Sequence, residues 1–225
     1  MSAKAIVTAL MLACLPVAAA AEPPPLTPEA VAKSRAEGEQ VIAAAGAGRY
    51  FEVYLAVNVA VVRHKPSGMT CNFAPDWPGN RIVIRETALP RGEDVICTRP
   101  NHAQREITFA RRAGTAADAD QALILMAVEA GSRYGDLTPY DGQGPAVSEE
   151  VVGQVEHPPR VVVGRFTARD ESGPLFVRIA VMVVDGWIIG HEVSGPLDQA
   201  RDANFLGEWS IKEEVWNLPG PNLGE

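Results

Sequence analysis

Residues 160–193 read RVVVGRFTARDESGPLFVRIAVMVVDGWIIGHEV, and the fold is decided here. Arg160 to Arg169 and Leu175 to Val184 are rich in valine and isoleucine, whose branched side chains suit a pleated, buried backbone. Asp170-Glu171-Ser172-Gly173-Pro174 separates them with residues that favour turns. Asp185-Gly186 is a two-residue hairpin loop, favoured because a type I′ turn needs positive φ at both central positions. Such a loop sets the register. Val184 then faces Trp187, Met182 faces Ile189, Ala180 faces His191 and Arg178 faces Val193 on one side of the ribbon. Val183 and Ile188, Val181 and Gly190, Ile179 and Glu192, and Val177 and Ser194 pair on the other. Near the hairpin both faces are apolar, which predicts cover on both sides. Towards the open end both faces turn polar.

Working outward from this meander, helix and strand patterns alternate in blocks. Thr27 is a good N-cap, Pro28 suits a first helical position, and Val31, Gly38, Val41, Ile42 and Ala45 share one face before Gly46 and Gly48. From Phe51 to Arg112 the pattern is strand-like. It runs through the valine-rich Val57–His64, the turn Lys65–Gly68, Met69–Phe73, the loop 74–80, Arg81–Arg85, the turn Pro90–Glu93, Val95–Thr98 and Glu106–Ala110. Ala122, Leu123, Leu125, Met126 and Val128 mark a second helix, with Thr115 as its cap and Asp118 as a capping-box partner. Residues 136–159 hold four prolines and three glycines and read as a covering loop or a linker, with a short helical turn at Ser148 to Val152. Phe205, Leu206, Trp209, Glu213 and Trp216 suggest a last helix. Strands, a helix and then a three-strand meander predict an α+β fold. Its sheet is mainly antiparallel, packed by two or three helices in a single domain over 22–225.

The chain has 225 residues, 28 acidic and 20 basic, a net charge of −8 with no basic run. That balance excludes a nucleic-acid binder, which needs a clustered cationic footprint. Met1 to Ala21 reads as a secretory signal peptide: Lys4, an apolar run from Ala5 to Val17, and small residues up to Ala21 for the peptidase. The run is shorter than the ~20 residues a spanning helix needs, so the mature chain is expected to have no transmembrane segment. Leu12-Ala13-Cys14 is the competing signal, the end of a lipobox that would anchor the chain through Cys14. Cleavage near Ala20 or Ala21 leaves two thiols, Cys71 and Cys97, in an oxidising compartment. Both lie in strand-like runs that adjacent strands of one small sheet could align into a disulfide, worth about 3.5 kcal/mol by loop closure. Two free thiols or a metal pair are the alternatives. No Cys-x-x-Cys or His-x-x-x-His spacing supports a metal or a redox pair, and no cofactor motif occurs.

Two residue pairs carry candidate chemistry. His64 and Ser67 flank a tight turn, and Ser with His is the minimum for an activated nucleophile. Turn chemistry explains Pro66-Ser67-Gly68 equally well, and no Gly-x-Ser-x-Gly is present. Arg178 and His191 share one face of the last hairpin and could line an anion-binding mouth, although a histidine on an apolar strand is more often packed and hydrogen-bonded. Asp118 and Asp120 are explained by a helix start, and Glu149-Glu150 by a solvated loop.

The stretch Arg63-His64-Lys65-Pro66-Ser67-Gly68-Met69-Thr70-Cys71, with Pro90-Arg91-Gly92-Glu93-Asp94-Val95-Ile96-Cys97, resembles a pattern in uncharacterised exported proteins of Gram-negative bacteria. The resemblance implies export and a disulfide and brings no named activity. The expectation is therefore a periplasmic or secreted, non-enzymatic α+β domain that binds a small molecule, a lipid or an envelope partner. A hydrolase using His64 and Ser67, and a lipoprotein held by Cys14, are the alternatives.

Overall fold

A computed structural model describes residues 26–101, 104–116, 118–142, 145–150 and 157–218. The leader read at Met1 to Ala21, and Cys14 within it, lie outside these residues. Among the described residues the fold is α+β, with three α-helices and two antiparallel sheets.

Helix α1 (Pro28–Ala44) starts where the sequence places it: the Thr27 hydroxyl accepts the Ala30 N–H at 3.1 Å. It buries Ser34, Gly38, Val41 and Ile42 on a small sheet of order β1 (Phe51–Ala56), β2 (Ala60–His64), β3 (Thr70–Phe73). Gly38 makes the contact close, since a Cβ there would lie 3.0 Å from side chains of Ala60 and Val53. The valine-rich run does not continue as one strand from Val57. Ala56 pairs with Ala60, so residues 57–59 form the hairpin turn, where the chain reverses and places Val61 and Val62 on the inner sheet.

The large sheet holds β4 (Arg81–Ile84), β5 (Asp94–Asn101), β6 (Gln104–Arg112), β7 (Thr138–Pro139), β8 (Val147–Glu150), β9 (Val161–Asp170), β10 (Gly173–Val184) and β11 (Trp187–Pro196). Its order is β4-β5-β6-β11-β10-β9-β7, with β8 also pairing β9. The meander has the register expected from Asp185-Gly186, from Val184 opposite Trp187 to Val177 opposite Ser194. Asp185 and Gly186 both have positive φ, 49° and 74°. A Cβ on Gly186 would meet only Arg112 Nη1 at 3.6 Å, an ordinary contact. Gly186→Val should therefore cost about 2 kcal/mol through backbone strain alone, lowering the melting temperature by several degrees. An unchanged melting temperature, followed by circular dichroism, would count against this turn.

Helix α2 (Ala119–Tyr134) covers one face of the large sheet, packing Ala122, Leu123 and Met126 on Phe109, Ile179, Val181 and Ile188. Its cap is Asp118, whose carboxylate accepts the Gln121 N–H at 2.9 Å. Thr115 does not cap it, because it belongs to a preceding turn in which Gly114 has φ 57°. Residues 136–159 are neither free linker nor helix where described. Val147–Glu150 pairs with Val161–Gly164, and its alternating exposure is that of a strand. Residues 151–156 lie outside the described part.

Helix α3 (Ala200–Asn217) and the small sheet cover the opposite face, where Phe51, Val62, Met69, Phe73, Ile211 and Val215 meet Ala180, Met182, Trp187 and Ile189. The helix is present as expected, and its largest aromatics do not form its buried face. Beside Ile211 and Val215, its inward residues are small or polar: Ala200, Ala203, Gly207, Ser210 and Glu214. Phe205, Trp209 and Trp216 face out, at 70%, 51% and 42% exposure. Close approach is the reason: a Cβ at Gly207 would lie 2.8 Å from Arg178 Cδ and 3.2 Å from Val193. No helix among the described residues is long and apolar enough to cross a membrane.

Candidate functional site

Strand parity places the chemically interesting residues. The ends of β5, β6 and β11 furthest from the Asp185-Gly186 hairpin carry polar residues on both faces of the large sheet. Arg99, Glu106, Thr108 and His191 face α3, and Thr98, Arg105, Glu192 and Ser194 face α2.

On the α3 face these residues close a chamber of about 20 Å3 between the sheets and α3. Cys71 of β3 and Cys97 of β5 form its disulfide wall, with Cα atoms 6.2 Å apart. The bridge joins the two sheets, whereas the sequence suggested neighbouring strands of one. Glu106 is held by Ser210 Oγ at 2.6 Å and by Arg99 Nη2 at 2.6 Å. His191 Nδ1 lies 3.7 Å from Glu106 Oε1 and 3.3 Å from Thr108 Oγ1. Burial alone would raise the Glu106 carboxyl, but His191, Arg99 and Ser210 outweigh it and bring it down to about 2. Across the chamber Glu214 accepts the Thr70 N–H on both oxygens, at 3.0 and 3.1 Å, and the Thr70 hydroxyl at 2.8 Å. Burial pushes Glu214 up to about 7, against the pull of His191 and Thr70. The space admits a single water-sized molecule and no organic substrate.

His64 and Ser67 are brought together elsewhere. Ser67 Oγ lies 2.8 Å from His64 Nδ1, and His64 Nε2 lies 3.0 Å from the Gly92 carbonyl. A carbonyl only accepts, so Nε2 carries the proton and Nδ1 accepts from the serine. Burial lowers His64 to about 4, making it a weak base. Lys65 reaches the Gly48 carbonyl instead of the ring. Ser67 Oγ also accepts the Met69 N–H at 3.2 Å, and Phe51 and Trp187 enclose the imidazole. The pair joins two turns and does not line the chamber around Glu106.

Arg178 and His191 do share a sheet face, yet they serve different partners. Arg178 is fully buried beneath Gly207 and pairs with Glu150, which is thus no solvated loop charge; His191 belongs to the Glu106 chamber.

On the α2 face lies an open cleft of about 580 Å3, bounded by Arg81, Thr98, Arg105, Tyr134, Ser172 and Ser194. Arg81 Nε donates to Thr98 Oγ1 at 3.0 Å. Tyr134 donates to Glu192 at 2.8 Å and lies 3.0 Å from Ser194 Oγ. Glu192 pairs in turn with Arg133, and Arg133 with Glu129, so the cleft floor is part of an ordered network. Burial first, then Glu192, pushes the Tyr134 phenol up to about 12, and it stays protonated.

Sequence reasoning missed Glu106, Ser210, Glu214, Arg81 and Arg105. One signal was available: Ser210 and Glu214 continue the small-residue stripe Ala203-Gly207, which marks the buried face of α3. Among the described residues no cluster of His, Cys, Asp and Glu is arranged to hold a metal.

No family model matches the chain, and no curated protein matches it. Among solved structures it is similar to a Pseudomonas aeruginosa protein of unknown function, PA94. The identity is 10%, over 73% of this chain and 99% of that one, with a TM-score of 0.34. A likeness at that level carries no argument about function.

Proposed function

We propose that this is an exported, non-enzymatic domain that acts by binding a small molecule, with the cleft on the α2 face as its site. One observation carries the reading. The cleft's volume of about 580 Å3 falls within the range of small-molecule sites, and hydroxyls and guanidinium groups converge on it. The reactive pairings elsewhere are buried, with a weak base or with room for no substrate. Export is supported by the leader-like start of the sequence and by the Cys71–Cys97 bridge, since disulfides persist outside the cytoplasm. Mass spectrometry of the mature chain tests it: a start at Ala21 or Glu22 is expected, and a diacylated Cys14 would establish the anchored alternative.

The hydrolase reading keeps one favourable observation, the 2.8 Å contact of Ser67 with His64. A panel of ester and amide substrates decides it. Turnover lost in Ser67→Ala would overturn the binding reading. The expected result is no turnover, and a stability loss of about 1 kcal/mol in the variant as the turn loses its hydroxyl.

A further inference from the structure

We infer that the cleft on the α2 face recognises the oxyanion of a small hydroxylated ligand, a carboxylate or a phosphate, through Arg81 and Arg105. This rests on the binding reading above and names the ligand's chemistry.

The sheet register brings the two guanidiniums to one place. Arg81 of β4 stands opposite Thr98 of β5, and Thr98 opposite Ile107 of β6; Arg105 lies two residues along β6 on the same face. Strands β4 and β6 are two steps apart, roughly 10 Å, which two arginine stems can close on a shared anion. Thr98 holds Arg81 by Nε and so leaves the forked end of the guanidinium for a ligand. Arg105 and Tyr134 line the same cleft, and the guanidinium acts electrostatically on the phenol. Both arginines are exposed, and among the described residues neither forms an ion pair. The contrast with their neighbours is informative. Arg85, Arg99, Arg111 and Arg133 on the same sheet and on α2 all have carboxylate partners.

The acid on the rim, Asp170, stays charged and offsets one of the two guanidiniums. Asp170 Oδ1 is occupied within its own turn by the N–H groups of Ser172 and Gly173 and by the Ser172 hydroxyl, at 2.8, 3.2 and 2.6 Å. Two guanidiniums against one carboxylate leave the cleft lining with a formal surplus of one positive charge, in a chain of net charge −8. The hydroxyls of Thr98, Tyr134, Ser172 and Ser194 add short-range donors and acceptors for the ligand's own hydroxyls.

The test uses the mature full chain, labelled with 15N, titrated separately with inorganic phosphate, glycerol 3-phosphate, glucuronate and glucose. The arginine Nε–H signals and the backbone amides of Thr98, Arg105 and Ser194 are followed. Saturable shifts with phosphate esters or with glucuronate are expected, weakening as salt rises, and the stronger of these arms identifies the oxyanion. Arg105→Gln and Arg81→Gln should each weaken binding about tenfold or more while the fold, judged by the remaining amides, is unchanged. Glucose binding in the cleft that is indifferent to both variants would overturn the oxyanion inference and leave the cleft reading standing. Shifts in none of the cleft residues with any of the four probes would overturn both.

Discussion

Cys71→Ser or Cys97→Ser is expected to lower the unfolding free energy by about 2–5 kcal/mol, a large share of the 5–15 kcal/mol of an ordinary domain. The bridged residues are 26 apart in sequence, which in the chain-entropy account corresponds to about 3.5 kcal/mol. The position adds to the argument. The small sheet meets the large one through a shared apolar cluster, and the bridge is the covalent tie between β3 and β5 at the edge of that cluster. Each single variant leaves one thiol in a chamber already crowded with carboxylates. The two variants should lose similar stability in urea titration, and the double variant no more than either single. Strongly additive losses would mean that the cysteines act as separate packed side chains. Two thiols titrating in the unreduced, denatured protein would refute the bridge.

Glu214 should make stability fall as pH rises towards neutrality. Its folded pKa of about 7 stands above the ordinary 4.5, so between these values the folded chain holds a proton that the unfolded chain releases. The contribution is complete below about pH 4.5 and is lost as pH passes through 7, a change of about 3 kcal/mol. His64 works in the opposite sense. Its pKa falls from 6.5 to about 4, so its contribution is complete above 6.5 and is lost as pH drops towards 4. Glu106, held near 2, contributes above 4.5 and loses its effect only as pH falls towards 2. Glu214→Gln isolates the first effect, because an amide oxygen can still accept the Thr70 N–H while nothing there titrates. The variant should gain on the wild type by about 3 kcal/mol between pH 4.5 and 8, measured by urea unfolding at each pH. Parallel pH profiles for the two proteins would sink this account of Glu214.

A pH response of this kind loosens a particular joint. Glu214 on α3 caps the buried edge of β3, the outer strand of the small sheet, through the Thr70 N–H. Ionising it in this buried setting is expected to weaken the seam among α3, the small sheet and the large sheet, the seam that the disulfide also spans. The buried Glu106, His191 and Glu214 thus tie elements together, while the exposed Arg81 and Arg105 lie on the other face of the large sheet.

The meander was legible residue by residue because its information is local. Asp185-Gly186 demands positive φ twice, that turn sets a register, and period-two patterning assigns each side chain a face. The N-cap at Thr27 was legible for the same reason, since Thr, Pro and Glu in succession satisfy a helix start without help from elsewhere. The cap of α2 was misplaced because Thr115 and Asp118 are both able caps, and the turn at Gly114 decides between them. The faces of α3 were not legible, because large aromatics normally turn inward and here Phe205, Trp209 and Trp216 turn out. How near a helix lies to a sheet is a tertiary quantity, and at Gly207 it leaves room only for small residues.

The sequence by itself determined the α+β class, the antiparallel meander and its register, the first helix start, and the two cysteines available for a bridge. The tertiary structure alone decided that the bridge joins two sheets, that Glu106, His191, Ser210 and Glu214 share one chamber, and that Arg81 and Arg105 open on one cleft. These residues are drawn from strands and a helix up to about half the chain apart. No local pattern encodes such meetings; they arise when strand order β4-β5-β6-β11 sets β11 beside β6 and α3 folds back across both.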